Sequence, residues 1–175
     1  MKTKSVIIYI SDWLKEYPFY TKNDKWFRYL RDMVLGKPRY RILMMNLLEQ
    51  HKFDIDKSRK RIWMTDEHIR NLSSQKHIVG LHSYSHPMLI NELSYEIQKE
   101  EYKKNYDHLE QLCLEGNKIT TMAHPCGRDN HDTLEILRNM GIQIGFRSNM
   151  AVKNIESLLE IPREDHANVA SEVGI

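Results

Sequence analysis

The chain has 175 residues, of which 41% are hydrophobic and 29% are charged, and its formal net charge is +2. This length predicts a single domain over residues 1–175, and the composition is that of a globular protein and not of a disordered one. The balanced charge predicts no nucleic-acid partner, and no apolar run approaches the roughly 18 residues of a membrane-spanning helix, so we expect no membrane partner. The two cysteines, Cys113 and Cys126, are expected to be reduced thiols of a cytoplasmic protein.

The predicted elements alternate between strands and helices. Predicted helices run from Trp26 to Gly36, over residues 42–48, from Thr65, over residues 93–115, and from Asn130 to Met140. The polar, basic residues 51–63 are expected to form an exposed loop, and a phosphate-binding patch there is the less favoured alternative. Predicted strands are short and apolar, and they cover residues 6–10, 77–81, 118–122, 142–146 and 159–161. This alternation predicts an α/β fold whose chemistry lies at the C-terminal ends of parallel strands.

Two histidines follow the second predicted strand. His82 and His86 are four residues apart, and two imidazoles at this spacing can bind one metal ion. Pro87 disfavours the α region at His86, which predicts that the pair lies on a turn and not inside a helix. Two partly buried histidines with hydrogen-bond partners are the alternative interpretation.

The segment after the third predicted strand reads His124-Pro125-Cys126-Gly127-Arg128. Pro and Gly two residues apart predict a tight turn, whose backbone N–H groups, including that of Cys126, could stabilise a developing oxyanion. His124 is either a ligand or acid, or a packed, hydrogen-bonded histidine. Nothing in the sequence indicates that Cys126 is a nucleophile.

A second group of acidic and basic residues follows the fifth predicted strand. It contains Arg163, Asp165 and His166. An Arg or Asp beside His166 could adjust the pKa of its imidazole for proton transfer. A charged surface loop is the alternative interpretation.

Together these segments resemble the polysaccharide deacetylases of the NodB-homology type, carbohydrate esterase family four. The runs at residues 64–72 and 78–89 resemble the family's helix, its strand and its His-Ser/Thr-x-x-His motif. His124-Pro125-Cys126-Gly127 resembles the family's Tyr-Pro-Tyr-Gly turn, and Ile161-Pro162-Arg163 resembles the segment after the next strand. The similarity runs from about residue 64 to 166, with a looser match at residues 4–12.

The resemblance implies a distorted (β/α) barrel and a metal-dependent hydrolase that removes an acetyl group from an N-acetylated sugar or polysaccharide. It implies a divalent metal, above all zinc, bound by His82, His86 and one Asp, and a carbohydrate substrate. We expect substrate binding at the turn (His124, Pro125, Cys126 and Arg128). We expect the catalytic residues among His166, Asp165 and Arg163, with His166 as the candidate proton donor.

The chain departs from the family at its first motif, Thr-Phe-Asp-Asp-Gly, because it contains no Asp-Asp pair. We therefore expect an incomplete barrel that lacks its first βα unit, with Asp12 as the candidate third metal ligand. The alternative is a truncated or degenerate, inactive homologue that binds carbohydrate or a partner protein. Unpaired sheet edges in such a barrel would favour a homo-oligomer.

Overall fold

The computed structural model describes residues 20–113, 116, 118–148, 155–164 and 166–174. The chain divides into two compact units, Met1–Trp63 and Met64–Ile175, called here the N-terminal and C-terminal units. The predicted strand at residues 6–10 lies outside the described residues, and the single domain over residues 1–175 stays a prediction. Within the described ranges, no helix is long and apolar enough to cross a membrane.

The described part of the N-terminal unit is helical. Helix α1, Lys22–Tyr29, begins at a capping box in which Thr21 and Asp24 each accept the other's backbone N–H. A π-helical segment, Leu30–Leu35, leads to helix α2, Gly36–Gln50. None of the residues in these three segments is buried, so their apolar side chains keep contact with solvent.

A third helix, α3 (Ile55–Ile62), lies where an exposed loop was predicted. Residues 51–63 are largely exposed as expected, but the prediction of a loop was wrong. The Asp54 carboxylate accepts the Lys57 N–H at 2.8 Å and so caps the first turn. Three basic residues occupy the last turn, where the helix dipole favours positive charge. Capping and the dipole therefore stabilise a helix in a stretch whose polarity alone indicated a loop.

The C-terminal unit is built on short parallel strands. Strand β1, Thr121–Ala123, pairs in parallel with strand β2, Ile144–Phe146. Single parallel bridges extend this sheet on both sides, from Leu81 to Met122 and from Phe146 to Ile161. The strands predicted at residues 118–122 and 142–146 are therefore present but shorter.

The other two predicted strands in this unit contribute only one bridging residue each. Residues 77–81 were predicted as a short strand, yet among them only Leu81 pairs, and Ile78 is 82% exposed. Residues 158–160 form a 3-10 turn before Ile161 pairs. Apolar, β-branched composition thus overestimated the strand length at both edges of the sheet.

Among the described residues of the C-terminal unit lie four α-helices, and two of them begin at the predicted caps. The Thr65 hydroxyl accepts the His68 N–H, and the Asn130 side chain accepts the Thr133 N–H. Gly141, just after the third of these helices, has φ +79°, a conformation that favours glycine. The helices are α4 (Asp66–Ser74), α5 (Tyr95–Leu112), α6 (His131–Asn139) and α7 (His166–Val173).

The buried face of α5 includes a polar residue. Gln98 and Tyr102 are fully buried, whereas the neighbouring Ile97 is 48% exposed. Gln98 is tolerated there because its Nε2 donates to the Leu93 carbonyl at 2.8 Å and its Oε1 accepts the Thr133 hydroxyl at 2.6 Å. The apolar core around these residues comprises Leu81, Ile90, Leu109, Ile119, Met122, Leu134, Ile136, Leu137, Ile142 and Leu159.

Candidate functional site

The two predicted metal ligands lie close together in the loop that follows Leu81. The His82 and His86 rings are edge-to-face with centroids 4.8 Å apart, and both residues are exposed. His82 Nδ1 lies 2.8 Å from the Ala123 carbonyl oxygen. Because a carbonyl can only accept, Nδ1 carries the proton, and Nε2 of the neutral ring keeps a lone pair available to a metal.

Two polar side chains of helix α5, one turn apart, form hydrogen bonds with this loop. The Glu101 carboxylate accepts both the backbone N–H and the hydroxyl of Ser85, at 2.7 and 2.8 Å. The Asn105 side-chain oxygen accepts the His82 N–H at 2.9 Å. Sequence reasoning missed both residues, and the available signal was their i, i+4 spacing on one face of a helix next to the histidine motif.

The loop has a strained backbone at two positions. Ser83 and His86 both have positive φ angles, 61° and 52°. The buried Ser83 hydroxyl accepts the His86 N–H at 3.1 Å and so stabilises the turn locally. The prediction that the pair lies on a turn is confirmed, and hydrogen bonds fix the His82 ring and the His86 backbone N–H.

The predicted tight turn follows β1 at Pro125–Gly127. Cys126 has φ 53° and Gly127 has φ 66°. A Cβ on Gly127 would lie 2.3 Å from the Ser148 hydroxyl oxygen, so the turn packs directly on the segment after β2. The N–H groups of Gly127 and Arg128 donate to the His124 and Pro125 carbonyls, which commits them to the turn and not to an oxyanion.

His124 is buried beneath this turn, with 2% of its surface exposed. Its Nε2 donates to the Leu159 carbonyl at 2.6 Å, and its Nδ1 has no hydrogen-bond partner within the described residues. Burial lowers the pKa of the imidazole below its usual value of 6.5 and keeps the ring neutral. This environment is that of the packed, hydrogen-bonded alternative, and direct contact of His124 with substrate stays a prediction.

A buried ion triad that the sequence did not indicate lies at the same end of the sheet. Arg147 directly follows β2, and its guanidinium donates to Asp129 at 2.8 Å and to Glu160 at 2.7 Å. The three side chains are only 14%, 5% and 6% exposed. The second Glu160 oxygen accepts the Ser157 hydroxyl at 3.1 Å. The triad therefore links three parts of the chain: the segment after β1, the segment after β2 and the 3-10 turn at residues 158–160.

The predicted catalytic group at the end of the chain is only partly described. Ile161 pairs with Phe146, so the chain leaves the sheet near the carboxyl end of β2, and Arg163 follows as an exposed residue. His166 is exposed at the start of α7. Asp165 and Asp12 lie outside the described residues. The catalytic and third-ligand assignments stay predictions.

Among the described residues, His82 and His86 are the candidate metal ligands. In the part of the chain that the structure describes, no group of three or more His, Cys, Asp or Glu side chains could hold a metal ion. Two imidazoles with one ring fixed by a backbone carbonyl are nevertheless a suitable half-site for a divalent ion such as zinc, which is usually bound by three protein ligands in catalytic sites.

The fold and the histidine pair define a class of α/β proteins related to carbohydrate deacetylases. The family model described as polysaccharide deacetylase matches residues 42–145, more than half of the chain. The chain belongs to the polysaccharide deacetylase family, which confirms the resemblance found in the sequence.

Two solved structures are similar to this chain. IcaB from Ammonifex degensii has a TM-score of 0.51 and 22% sequence identity, over 62% of this chain and 51% of that one. The Streptococcus pyogenes deacetylase PplD in complex with acetate has a TM-score of 0.49 and 19% identity, over 89% of this chain and 78% of that one. No curated protein matches the chain.

The similarity to IcaB concerns the fold, and this chain spans about half the length of that structure. The predicted α/β fold, a distorted and incomplete (β/α) barrel of the deacetylase type, is confirmed. Within the described ranges the sheet consists of β1, β2 and the two bridges, and it does not close into a barrel.

Proposed function

We propose that this chain is a metal-dependent hydrolase that removes an acetyl group from an N-acetylated sugar or polysaccharide. The observation that carries the proposal is the orientation of His82, whose Nδ1–H is fixed on the Ala123 carbonyl while His86 lies 4.8 Å away between ring centroids. Membership of the polysaccharide deacetylase family supports a carbohydrate substrate. Deacetylases of this kind are generally metal-dependent.

His82 and His86 are the residues that would hold the metal, and Asp12 is the proposed third ligand. Zinc suits this set, because neutral imidazole and carboxylate are among its usual ligands. When bound, such a metal supplies a Lewis acid that polarises the acetamide carbonyl. The protein's own part is to fix the His82 ring through the Ala123 carbonyl, and to hold the loop of both histidines through Asn105 and the Glu101–Ser85 pair.

The turn after β1 is the proposed wall of the substrate site. The left-handed conformation of Cys126 orients its peptide N–H, which we assign as a donor to the developing oxyanion. Arg128 is the proposed contact for the sugar, and buried Pro125 and His124 position the turn. His166 is the proposed proton donor to the leaving amine, and Arg163 and Asp165 are the other proposed catalytic residues.

Acetate release tests this function directly. Purified protein loaded with zinc or cobalt is incubated with oligomers of N-acetylglucosamine, and the released acetate is measured. His82→Ala is expected to lower the rate by at least about a hundredfold, because it removes a metal ligand. His77→Ala is the matched control, because that exposed histidine uses only its backbone N–H, which donates to the Leu72 carbonyl. No acetate from any N-acetylated oligomer would refute the proposal.

An inactive homologue that binds carbohydrate or a partner protein is the second candidate. It is favoured by one finding: among the described residues, no group of three or more His, Cys, Asp or Glu side chains could hold a metal ion. Such a protein would bind the oligomers without releasing acetate, and its binding would be indifferent to His82→Ala. A turnover that depends on His82 would exclude this candidate.

A further inference from the structure

The net charge of +2 conceals a strong division along the chain. Residues 20–63 carry 12 basic and 5 acidic side chains, a net charge of +7. Residues 64–175 carry 11 basic and 17 acidic side chains, a net charge of −6. A charge asymmetry of this size between two parts of one chain points to an anionic partner for the basic part.

The same basic segment exposes large apolar side chains. None of the residues in α1, the π-helical segment, α2 or α3 is buried. On α2, Ile42 is 63% exposed and Met45 is 49% exposed. Helices with this much apolar surface are typical of proteins that bury that surface against a partner or a lipid phase.

Charge and apolar surface meet at the end of α3. Four basic side chains, at Lys57, Arg59, Lys60 and Arg61, are exposed on this helix. The next two residues, Ile62 and Trp63, are 77% and 68% exposed. These six residues are called the α3 patch. Cationic side chains beside an exposed tryptophan and isoleucine form the combination that binds the interface of an anionic membrane.

Contrary to the expectation of no membrane partner, which rested on the lack of a membrane-spanning run, we propose that the α3 patch docks the protein on an anionic lipid surface. The basic groups would contact lipid phosphates, while Ile62 and Trp63 would enter the boundary between headgroups and acyl chains. A nucleic acid would satisfy the charges but would leave an isoleucine side chain exposed. A symmetric contact between two copies would bring two positively charged patches together. The proposal does not rest on the deacetylase function.

Vesicle co-sedimentation of the full chain tests the proposal. The probes are vesicles of phosphatidylcholine alone and vesicles of phosphatidylcholine with phosphatidylglycerol at about two to one. The charge variant is Arg59→Gln/Lys60→Gln/Arg61→Gln. Its control is Arg70→Gln/Lys99→Gln/Lys103→Gln, which removes the same charge from exposed positions of the C-terminal unit. The apolar variant is Ile62→Ser, with Ile78→Ser as control because Ile78 is 82% exposed.

Binding to the anionic vesicles is expected, weakened by salt, with little binding to phosphatidylcholine alone. The charge variant and Ile62→Ser are each expected to weaken binding by at least about tenfold, and both controls are expected to bind as the unchanged protein does. Circular dichroism spectra that match the unchanged protein verify that the variants fold. Absence of binding to anionic vesicles, equal losses in the controls, or tighter binding to a DNA duplex than to the vesicles would overturn the proposal.

Discussion

The segments at the carboxyl edge of the sheet are held in two opposite ways. After β1 and β2, three charged side chains are buried and paired in the Asp129–Arg147–Glu160 triad. After Leu81, the two histidines are exposed, with the His82 ring fixed at Nδ1 and the backbone N–H groups of both residues bonded. The buried side stabilises the edge, and the exposed side keeps imidazole lone pairs available for ligand binding. Stability and metal binding should therefore respond to different residues.

Loss of Arg147 should have the largest effect on stability. Arg147→Met leaves two buried carboxylates without their cation, so we expect the free energy of unfolding to fall by about 3–5 kcal/mol. Urea unfolding measures the change. Lys103→Met is the control, since it breaks the exposed Lys103–Asp107 pair and should cost less than about 1 kcal/mol. A similar loss in both variants would show that the buried triad contributes no more to stability than the exposed ion pair.

Gly127→Ala should have the next largest effect. The residue has φ 66°, and a Cβ there would meet the Ser148 hydroxyl oxygen at 2.3 Å. We expect a loss of about 3 kcal/mol, from the left-handed backbone and the clash together. Gly141→Ala isolates the backbone part, because φ is 79° there and the space is open. It should cost about 1–2 kcal/mol in the same unfolding experiment. Equal losses would mean that the turn yields to the extra methyl group.

His124 should make stability depend on pH. Burial lowers the pKa of the folded-state imidazole below 6.5, so the folded protein binds fewer protons than the unfolded chain once the pH falls below that value. Stability should therefore fall with pH below about 6.5, by up to about 1.4 kcal/mol per pH unit from this group. His124→Gln should flatten the profile, and exposed His77→Gln should not. An unchanged slope in His124→Gln would contradict the buried, neutral ring.

Glu101→Gln should have a small effect on stability and a clearer one on metal binding. The variant weakens the two bonds that hold Ser85 in the histidine loop. We expect zinc affinity to fall by about tenfold, the usual size for a residue that supports a metal ligand. Isothermal titration calorimetry gives the affinity. Glu100→Gln is the control, because its carboxylate pairs with Lys104 on the exposed side of the same helix. Equal zinc affinities in the two variants would show that Glu101 does not support the metal ligands.

Features set by neighbouring residues could be predicted from the sequence. The caps at Thr65 and Asn130, the turn after β1 and the positions of β1 and β2 follow from local chemistry, and the structure has them. The basic helix α3 was missed although its Asp54 cap is local, because the polarity of residues 51–63 indicated a loop.

Contacts between distant residues could not be predicted in this way. Arg147 meets Asp129 and Glu160 across 18 and 13 residues, and Glu101 reaches Ser85 across 16. Nothing in a single sequence specifies which buried charges will pair once the strands are aligned. The histidine pair was predicted because its spacing is short, whereas the groups that orient it come from strand β1 and helix α5.

The most direct test of a metal centre at the histidine pair is the zinc stoichiometry of this chain, measured after dialysis for the unchanged protein, His82→Ala and the control His77→Ala. About one tightly bound zinc ion per chain is expected in the unchanged protein and in His77→Ala, and its loss is expected in His82→Ala. Absence of zinc, or zinc binding that is indifferent to His82, would contradict a metal centre built on the histidine pair.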